Sequence, residues 1–237
     1  MTMTVKVASR THQGYVRKRN EDSYRQGEWL YAVADGLGGH VAGDIASSTA
    51  IDAIKPYDRP MQAEELASSL GRAINEASEA LRRKVREDRK LAGMGTTLVA
   101  LLRSGGNAVV ANVGDSRAYV IRRRGSSVNT LLQISEDHTY EHLVANAEIV
   151  PNLREKLSRF LDGRNDGRSP DLTPIQLHPG DRILLCSDGL SSYVPHEQVR
   201  ATLDSDRSPG EIADELVALA LNQGGQDNVT VIVIDVT

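Results

Sequence analysis

Two apolar runs of strand length end in the same way. Residues 29–34 run into Asp35-Gly36, and residues 182–187 run into Asp188-Gly189. Short continuous apolar runs of this kind read as strands buried on both faces, which need layers packed above and below them. An isolated Asp-Gly is ordinarily a hairpin turn. Here no second strand follows. A glycine-rich turn, Gly36-Leu37-Gly38-Gly39-His40, follows the first, and a helical segment follows the second. Each run thus leaves a carboxylate at the end of a buried strand, where an unpaired charge is costly. Two further acids sit in similar settings, Asp115 in Asn112-Val113-Gly114-Asp115-Ser116 and Asp227 in Gly225-Gln226-Asp227-Asn228. Such acids repel one another on converging unless a cation lies between them. No thiolate or histidine cluster accompanies them, so the ligands would be oxygen, which selects Mg²⁺ or Mn²⁺. From spacing alone, a metal site and a set of ordinary turns both stay open.

The rest of the chain groups its strands and its helices. Residues 5–8 alternate as a strand. Residues 43–54 carry small and apolar residues at helical spacing, and Pro56 and Pro60 break the chain after them. Leu66, Leu70, Ile74, Ala77, Leu81 and Val85 mark a long amphipathic helix. Strands are expected over 96–102, 108–113, 118–121, 128–134 and 228–236, and weak helical periodicity runs over 136–149. Residues 162–170 read as a surface loop. Helices are expected over 195–203 and 211–221, the second opened by Ser208, Pro209 and a capping Glu211. Grouped strands and grouped helices favour α+β layers over an alternating parallel fold. No repeat or linker divides the chain, so residues 1–237 read as one domain.

Composition excludes several classes. With 237 residues and 40% hydrophobic content the chain can bury a sizeable core. A net charge of −4 gives no electrostatic reason to expect nucleic acid or an anionic membrane as partner. No apolar run approaches the roughly 20 residues of a membrane helix, and residues 1–10 lack the apolar core of a signal peptide. Cys186 is the single cysteine, so no intramolecular disulfide forms and a cytoplasmic, reducing location is expected. Position 192 is Ser, not the arginine that a cysteine phosphatase places six residues after its nucleophile, so Cys186 reads as a small buried strand residue. The glycine-rich turn lacks both the Gly-Lys-Ser/Thr ending of a P-loop and the dinucleotide spacing. Asp204-Ser205-Asp206 lies in a polar link between helices and reads as solvated.

In chain order the segments that stand out are Gly14-Tyr15-Val16-Arg17-Lys18-Arg19-Asn20-Glu21-Asp22, Val33-Ala34-Asp35-Gly36-Leu37-Gly38-Gly39-His40, Met94-Gly95-Thr96-Thr97, Asn112-Val113-Gly114-Asp115-Ser116-Arg117-Ala118-Tyr119, Asp137-His138-Thr139, Ser187-Asp188-Gly189-Leu190 and Gln226-Asp227-Asn228-Val229-Thr230. Together they resemble the metal-dependent type 2C (PPM) family of Ser/Thr protein phosphatases in its compact bacterial form. The resemblance runs from about residue 5 to residue 236. It implies a four-layer αββα fold, a central antiparallel β-sandwich flanked by helix pairs.

It also implies roles. Asp35 would bridge two Mn²⁺ or Mg²⁺ ions, Asp188 and Asp227 would complete one site, and Glu21 with the Gly36 carbonyl would hold the other. Asp115, with Asp188, matches a third, weaker site. Asp22 would stand behind the metals, and Arg17 matches the phosphate-binding arginine. A water between the cations would attack phosphorus, since two cations make a hydroxide available near neutral pH. His40 is the candidate general acid for the leaving alkoxide. Lys18 and Arg19 read as surface charges. Asp137-His138 reads as structural, as does Met94-Gly95-Thr96-Thr97 with a threonine bonding near the site. The implied substrates are phosphoserine and phosphothreonine proteins, with a cognate Ser/Thr kinase as counterpart and a monomer as the working unit. A catalytically weak phosphoprotein-binding scaffold of the same fold is the alternative, which loss of a metal acid would favour. The chain departs from the family between residues 139 and 177. There Arg154-Glu155 replaces an Arg-Asn pair, and Asp162 is an extra residue before Gly163. That region forms a substrate-influencing flap in relatives.

Overall fold

The computed structural model describes residues 3–37, 42–123, 129–140, 156–164 and 169–237. Within them eleven strands form two antiparallel sheets. The first has the order β1 (Val5–His12), β11 (Val229–Val236), β10 (Asp181–Cys186), β7 (Arg117–Arg122), β8 (Leu131–Gln133). The second has the order β2 (Asp22–Gln26), β3 (Leu30–Leu37), β5 (Leu98–Ser104), β6 (Asn107–Val113), β9 (Asp171–Gln176), with β4 (Gly95–Thr96) paired to the end of β3.

The side-chain period of two assigns each buried strand residue to one of three apolar layers. On β3, Tyr31 and Val33 join Ile183, Leu185, Ile232 and Ile234 between the sheets. The alternate residues Leu30, Ala32 and Ala34 face α1 (Gly43–Ile54) and α2 (Leu66–Glu87). On the opposite side Leu184, Cys186, Val231 and Val233 pack with residues of α4 (His196–Leu203) and α5 (Pro209–Asn222). The αββα sandwich expected from the sequence is the observed fold. Cys186 lies buried in that last layer, where burial pushes its thiol up to about 12, which leaves it without nucleophilic character at neutral pH. The capping box at the start of α5 forms as read, Ser208 accepting from the Glu211 amide.

Several elements differ from the sequence reading. Strand β3 continues three residues past Ala34, so Asp35 lies inside the strand and not beyond its end. The strand expected over 96–102 divides at Thr97, whose amide turns to the Asp35 carbonyl at 2.9 Å while the Thr96 amide bonds Leu161 at 2.8 Å. Strand β9 has no strand-like apolar pattern and contains Pro174, yet it is an edge strand, where a missing N–H is tolerated. Strand β2 was hidden in a charged stretch for the same reason. Of the strand expected over 128–134 only Leu131–Gln133 pairs, and residue 128 lies outside the described residues. Residues 136–139 are not helical, and most of the remaining 136–149 segment lies outside the described residues. A one-turn helix, α3 (Asp188–Ser191), opens directly on Asp188.

One polar knot ties the first sheet to its helices. Arg182 is 1% exposed. Its guanidinium pairs with Asp235 at 2.5 and 2.8 Å and donates to the carbonyls of Leu203, Ser205 and Arg207 at 2.7, 2.7 and 3.0 Å. Truncating it strands a carboxylate and three carbonyls together. Arg182→Met should therefore lower stability by about 3–5 kcal/mol. Urea unfolding of the variant checks this, and a loss below about 1 kcal/mol would refute it.

Candidate active site

The acids gather at one end of the sandwich. A cavity of about 170 Å³ is lined by Arg17, Glu21, Asp35, Gly36, Asp115, Asp188 and Asp227, with Leu37 and Asn228. Each residue expected to hold a metal is thus on its wall. Asp22 pairs across the strands with Asp35. His40 lies outside the described residues.

Different elements deliver these groups. Asp35 is the next residue after Tyr31 and Val33 on the inter-sheet face of β3, so strand parity alone aims it between the sheets. Its backbone is pinned: its amide donates to Thr97 Oγ1 at 3.0 Å, and its carbonyl accepts from Thr96 Oγ1 at 2.8 Å. The two threonines therefore bond next to the site, as the sequence suggested. Asp188 heads α3 directly after β10, and Asp227 leads into β11. Asp115 sits on the link between β6 and β7, where Gly114 takes a φ of 117° that a side chain rarely adopts. His138, 3% exposed, holds that link from beneath. Its Nδ1 accepts from the Gly114 amide at 3.1 Å, and its own amide donates to the Gly114 carbonyl at 2.9 Å. Its Nε2 meets Asp171 at 2.9 Å, and Asp171 also accepts from Arg159 at 2.9 Å. Asp137 clamps Arg117 through both oxygens. Asp137 and His138 are structural, as read. In the departing region, Leu161 pairs with Thr96 and Leu157 with Thr139, so residues 156–162 are stapled to the site's rear wall. Glu155 lies outside the described residues.

The carboxylates are electrostatically frustrated. Burial, followed by Asp22, Asp188 and Asp115, holds the Asp35 carboxyl well above the usual range, and it shares a hydrogen bond with Asp188. Burial and Asp227 raise Asp188. Burial lifts Asp22 to about 7 despite hydrogen bonds from Thr230 and Ser187, and lifts Asp115 to about 7 with help from Asp188.

The donor set fits hard divalent cations. It is all oxygen. Asp22 Oδ1 and Asp188 Oδ1 are buried without a hydrogen-bond partner. Glu21 Oε2 and the Gly36 carbonyl close on the bare Cα of Gly43, where a Cβ would lie 2.7 and 2.8 Å from them, so the two oxygens share a cradle that only glycine leaves open. Among the described residues no three His, Cys, Asp or Glu side chains are drawn into a closed cage. That agrees with mutually repelling acids ringing an open cavity. Arg17 reaches in from the rim, its Nη2 2.5 Å from Asp227 Oδ2.

Comparison with known proteins matches residues 11–211 to the family model described as Protein phosphatase 2C. The chain belongs to the protein phosphatase 2C family. It is 38% identical over 243 residues to the serine/threonine protein phosphatase PstP of Mycobacterium tuberculosis, covering 100% of this chain and 46% of that protein. It thus spans about half the length of that relative. It is 35% identical to the serine/threonine phosphatase stp of Listeria welshimeri, covering 95% of this chain and 94% of that one. The crystal structure of the PstP catalytic domain in complex with two manganese ions superposes with a TM-score of 0.88 at 38% identity, covering 100% of both chains.

Beside this family pattern, two residues that carry the site have no assigned role in the sequence reading. Asn228 accepts from the Glu21 amide at 2.8 Å and donates to the carbonyls of Gln13 and Arg19 at 2.7 and 2.8 Å. It fixes the whole Arg17–Glu21 segment against β11. Ser187 donates to Asp22 at 2.8 Å and accepts from the Thr230 amide at 2.9 Å. The signal was adjacency: each lies within one of the acidic motifs, or directly beside its acid. Asn228→Ala should weaken Mn²⁺ binding by about 10–100-fold while the protein stays folded. Calorimetric titration reads this directly, and unchanged affinity would exclude the role.

Proposed function

We propose that this chain is a metal-dependent protein serine/threonine phosphatase hydrolysing phosphoserine and phosphothreonine. The observation that carries the reading is the convergence of Glu21, Asp35, Gly36, Asp115, Asp188 and Asp227 on one cavity with Arg17 at its rim. Family membership and the two manganese ions of the superposing PstP domain support it. In this reading Asp35, Asp188 and Asp227 serve one cation, Asp35, Glu21 and the Gly36 carbonyl a second, and Asp115 with Asp188 a third. Bound there, the cations would supply Lewis acidity toward the phosphoryl oxygens and a nucleophilic water at neutral pH.

The chain's own groups do the rest. Arg17, half exposed beside Asp227, offers the phosphate a planar fork of donors. Asp22, with one oxygen held by Ser187 and the other without a hydrogen-bond partner, would stand behind the cations and accept hydrogen bonds from water there. His40 would protonate the leaving alkoxide. The counterpart is a Ser/Thr kinase acting on the same proteins. The single buried Cys186 supports work in a reducing, cytoplasmic setting, and residues 1–237 would act as one catalytic unit, as a monomer. No helix among the described residues is long and apolar enough to cross a membrane.

Hydrolysis of a phosphothreonine peptide with Mn²⁺, with Mg²⁺ and with chelator tests the reading. Turnover should require metal and collapse in Asp188→Ala. A folded protein without turnover under either metal would leave the scaffold alternative in its place.

A further inference from the structure

If the acidic cavity takes the phosphorylated residue, the flanking peptide must lie on the surface around it. A wider cavity of about 490 Å³ opens alongside, and its walls include Val16, Arg17, Lys18, Arg19, Glu21 and Asn228. Arg17, Glu21 and Asn228 line both cavities, so the two adjoin. Lys18 and Arg19 line only the second.

Their backbone is held at several points. Gln13 Nε2 donates to the Arg17 carbonyl at 2.7 Å, Asn228 Nδ2 to the Arg19 carbonyl at 2.8 Å, and the Tyr15 amide to the Gly225 carbonyl at 2.7 Å. Among the described residues Arg17 is ion-paired, to Asp227, while Lys18 and Arg19 have no ion pair and are exposed. Tyr15 and Val16, 68% and 58% exposed, extend the same segment with apolar surface. A fixed loop thus presents two unpaired cations and two apolar side chains directly beside the catalytic cavity.

Resting on the phosphatase reading, we propose that this groove binds carboxylate side chains flanking the phosphorylated residue, so that acidic phosphopeptides are the preferred substrates. Charge pattern sets the register. With cations balancing the carboxylates of the catalytic cavity, Lys18 and Arg19 are the charges that attract an acidic flank, and they place it at their end of the groove. A second phosphate would fit this less well, because it could itself enter the catalytic cavity and bind in the wrong register.

The test uses non-hydrolysable phosphonate peptides in saturating Mn²⁺ at low salt, with binding read by fluorescence anisotropy. One peptide has neutral flanks, one has glutamate flanks, and one has neutral flanks with a second phosphonate. The glutamate-flanked peptide should bind about tenfold tighter than the neutral one, and Lys18→Ala and Arg19→Ala should each remove up to about fivefold of that gain. Neutral-peptide binding and turnover of a small aryl phosphate should not change. High salt should erase the preference. Equal losses on neutral and acidic peptides, absence of an acidic preference, or a preference confined to the doubly charged phosphonate peptide would each overturn the proposal. The matching phosphothreonine peptides are assayed for hydrolysis in parallel. Preference without turnover would remove the phosphatase reading and leave the groove; turnover without preference would remove the groove alone.

Discussion

Asp35→Asn should abolish turnover and at the same time stabilise the metal-free protein. The two effects share one origin. Asp35 is half-buried on the inter-sheet face of β3 and faces Asp22, Asp188 and Asp115, all acidic. Without cations its charge has no partner, and burial with the neighbouring acids holds its carboxyl well above the usual range. Asparagine keeps the shape and can still donate to Asp188, while the backbone stays pinned by Thr96 and Thr97. The neutral side chain should therefore raise metal-free stability near pH 8 by about 1–3 kcal/mol. If Asp35 serves both cations as proposed, losing its carboxylate removes several kcal/mol of transition-state stabilisation, so activity should fall by at least about 10³-fold. Urea unfolding in chelator and a Mn²⁺-supported rate assay give the two numbers. A variant that is both inactive and destabilised would show that Asp35 serves the fold, not the cation.

The second large effect is a pH dependence of opposite sign with and without metal. Asp22 and Asp115 are lifted from the ordinary carboxyl value of 3.8 to about 7, mainly by burial. Between those values the folded protein binds more protons than the unfolded chain. Stability therefore falls as pH rises through the window, and the loss is complete once pH exceeds about 7. The two groups together correspond to at most about 9 kcal/mol, on the order of the whole margin of a small protein. In chelator the melting temperature should drop steadily from about pH 5 to about pH 8. With saturating Mn²⁺ it should rise over the same range, because cations displace the protons and bind more tightly as the acids ionise. A chelated protein whose melting temperature stays flat or climbs through that window would contradict the raised carboxyls.

The site was more legible in the sequence than the edges of the fold. Three of the acids announced themselves because each borders a strongly apolar run: Asp35 after Tyr31–Ala34, Asp188 after Ile183–Cys186, Asp227 before Val229–Val236, whereas Glu21, in a charged stretch, came only through the family resemblance. Burial makes such a charge expensive, so its presence carries information. Strands β2 and β9 lie at sheet edges, and their residues are half exposed. Nothing in Asp22–Gln26 or Asp171–Gln176 obeys an apolar rule, and only pairing to β3 and β6 makes them strands. Asn228 escaped notice for another reason. Its three hydrogen bonds reach back more than two hundred residues to Gln13, Arg19 and Glu21, and no local pattern records a partner at that distance. The Lys18 and Arg19 charges looked like ordinary surface until the loop that carries them was seen beside the acidic cavity.

The three apolar layers have a bearing on how the protein fails. Asp35 rides on the second sheet, Asp188 and Asp227 on the first, and Asp115 on the link from β6 to β7; the middle layer, Tyr31 and Val33 against Ile183 and Ile232, with a few side-chain bonds such as Ser187 to Asp22, sets the gap between them. No ladder of backbone hydrogen bonds carries that spacing. A partly loosened molecule could therefore keep every strand pairing and most of its helix content, look native to circular dichroism, and have lost its cation spacing entirely. Enzymatic rate is the sharper gauge of whether the two halves of this sandwich are closed.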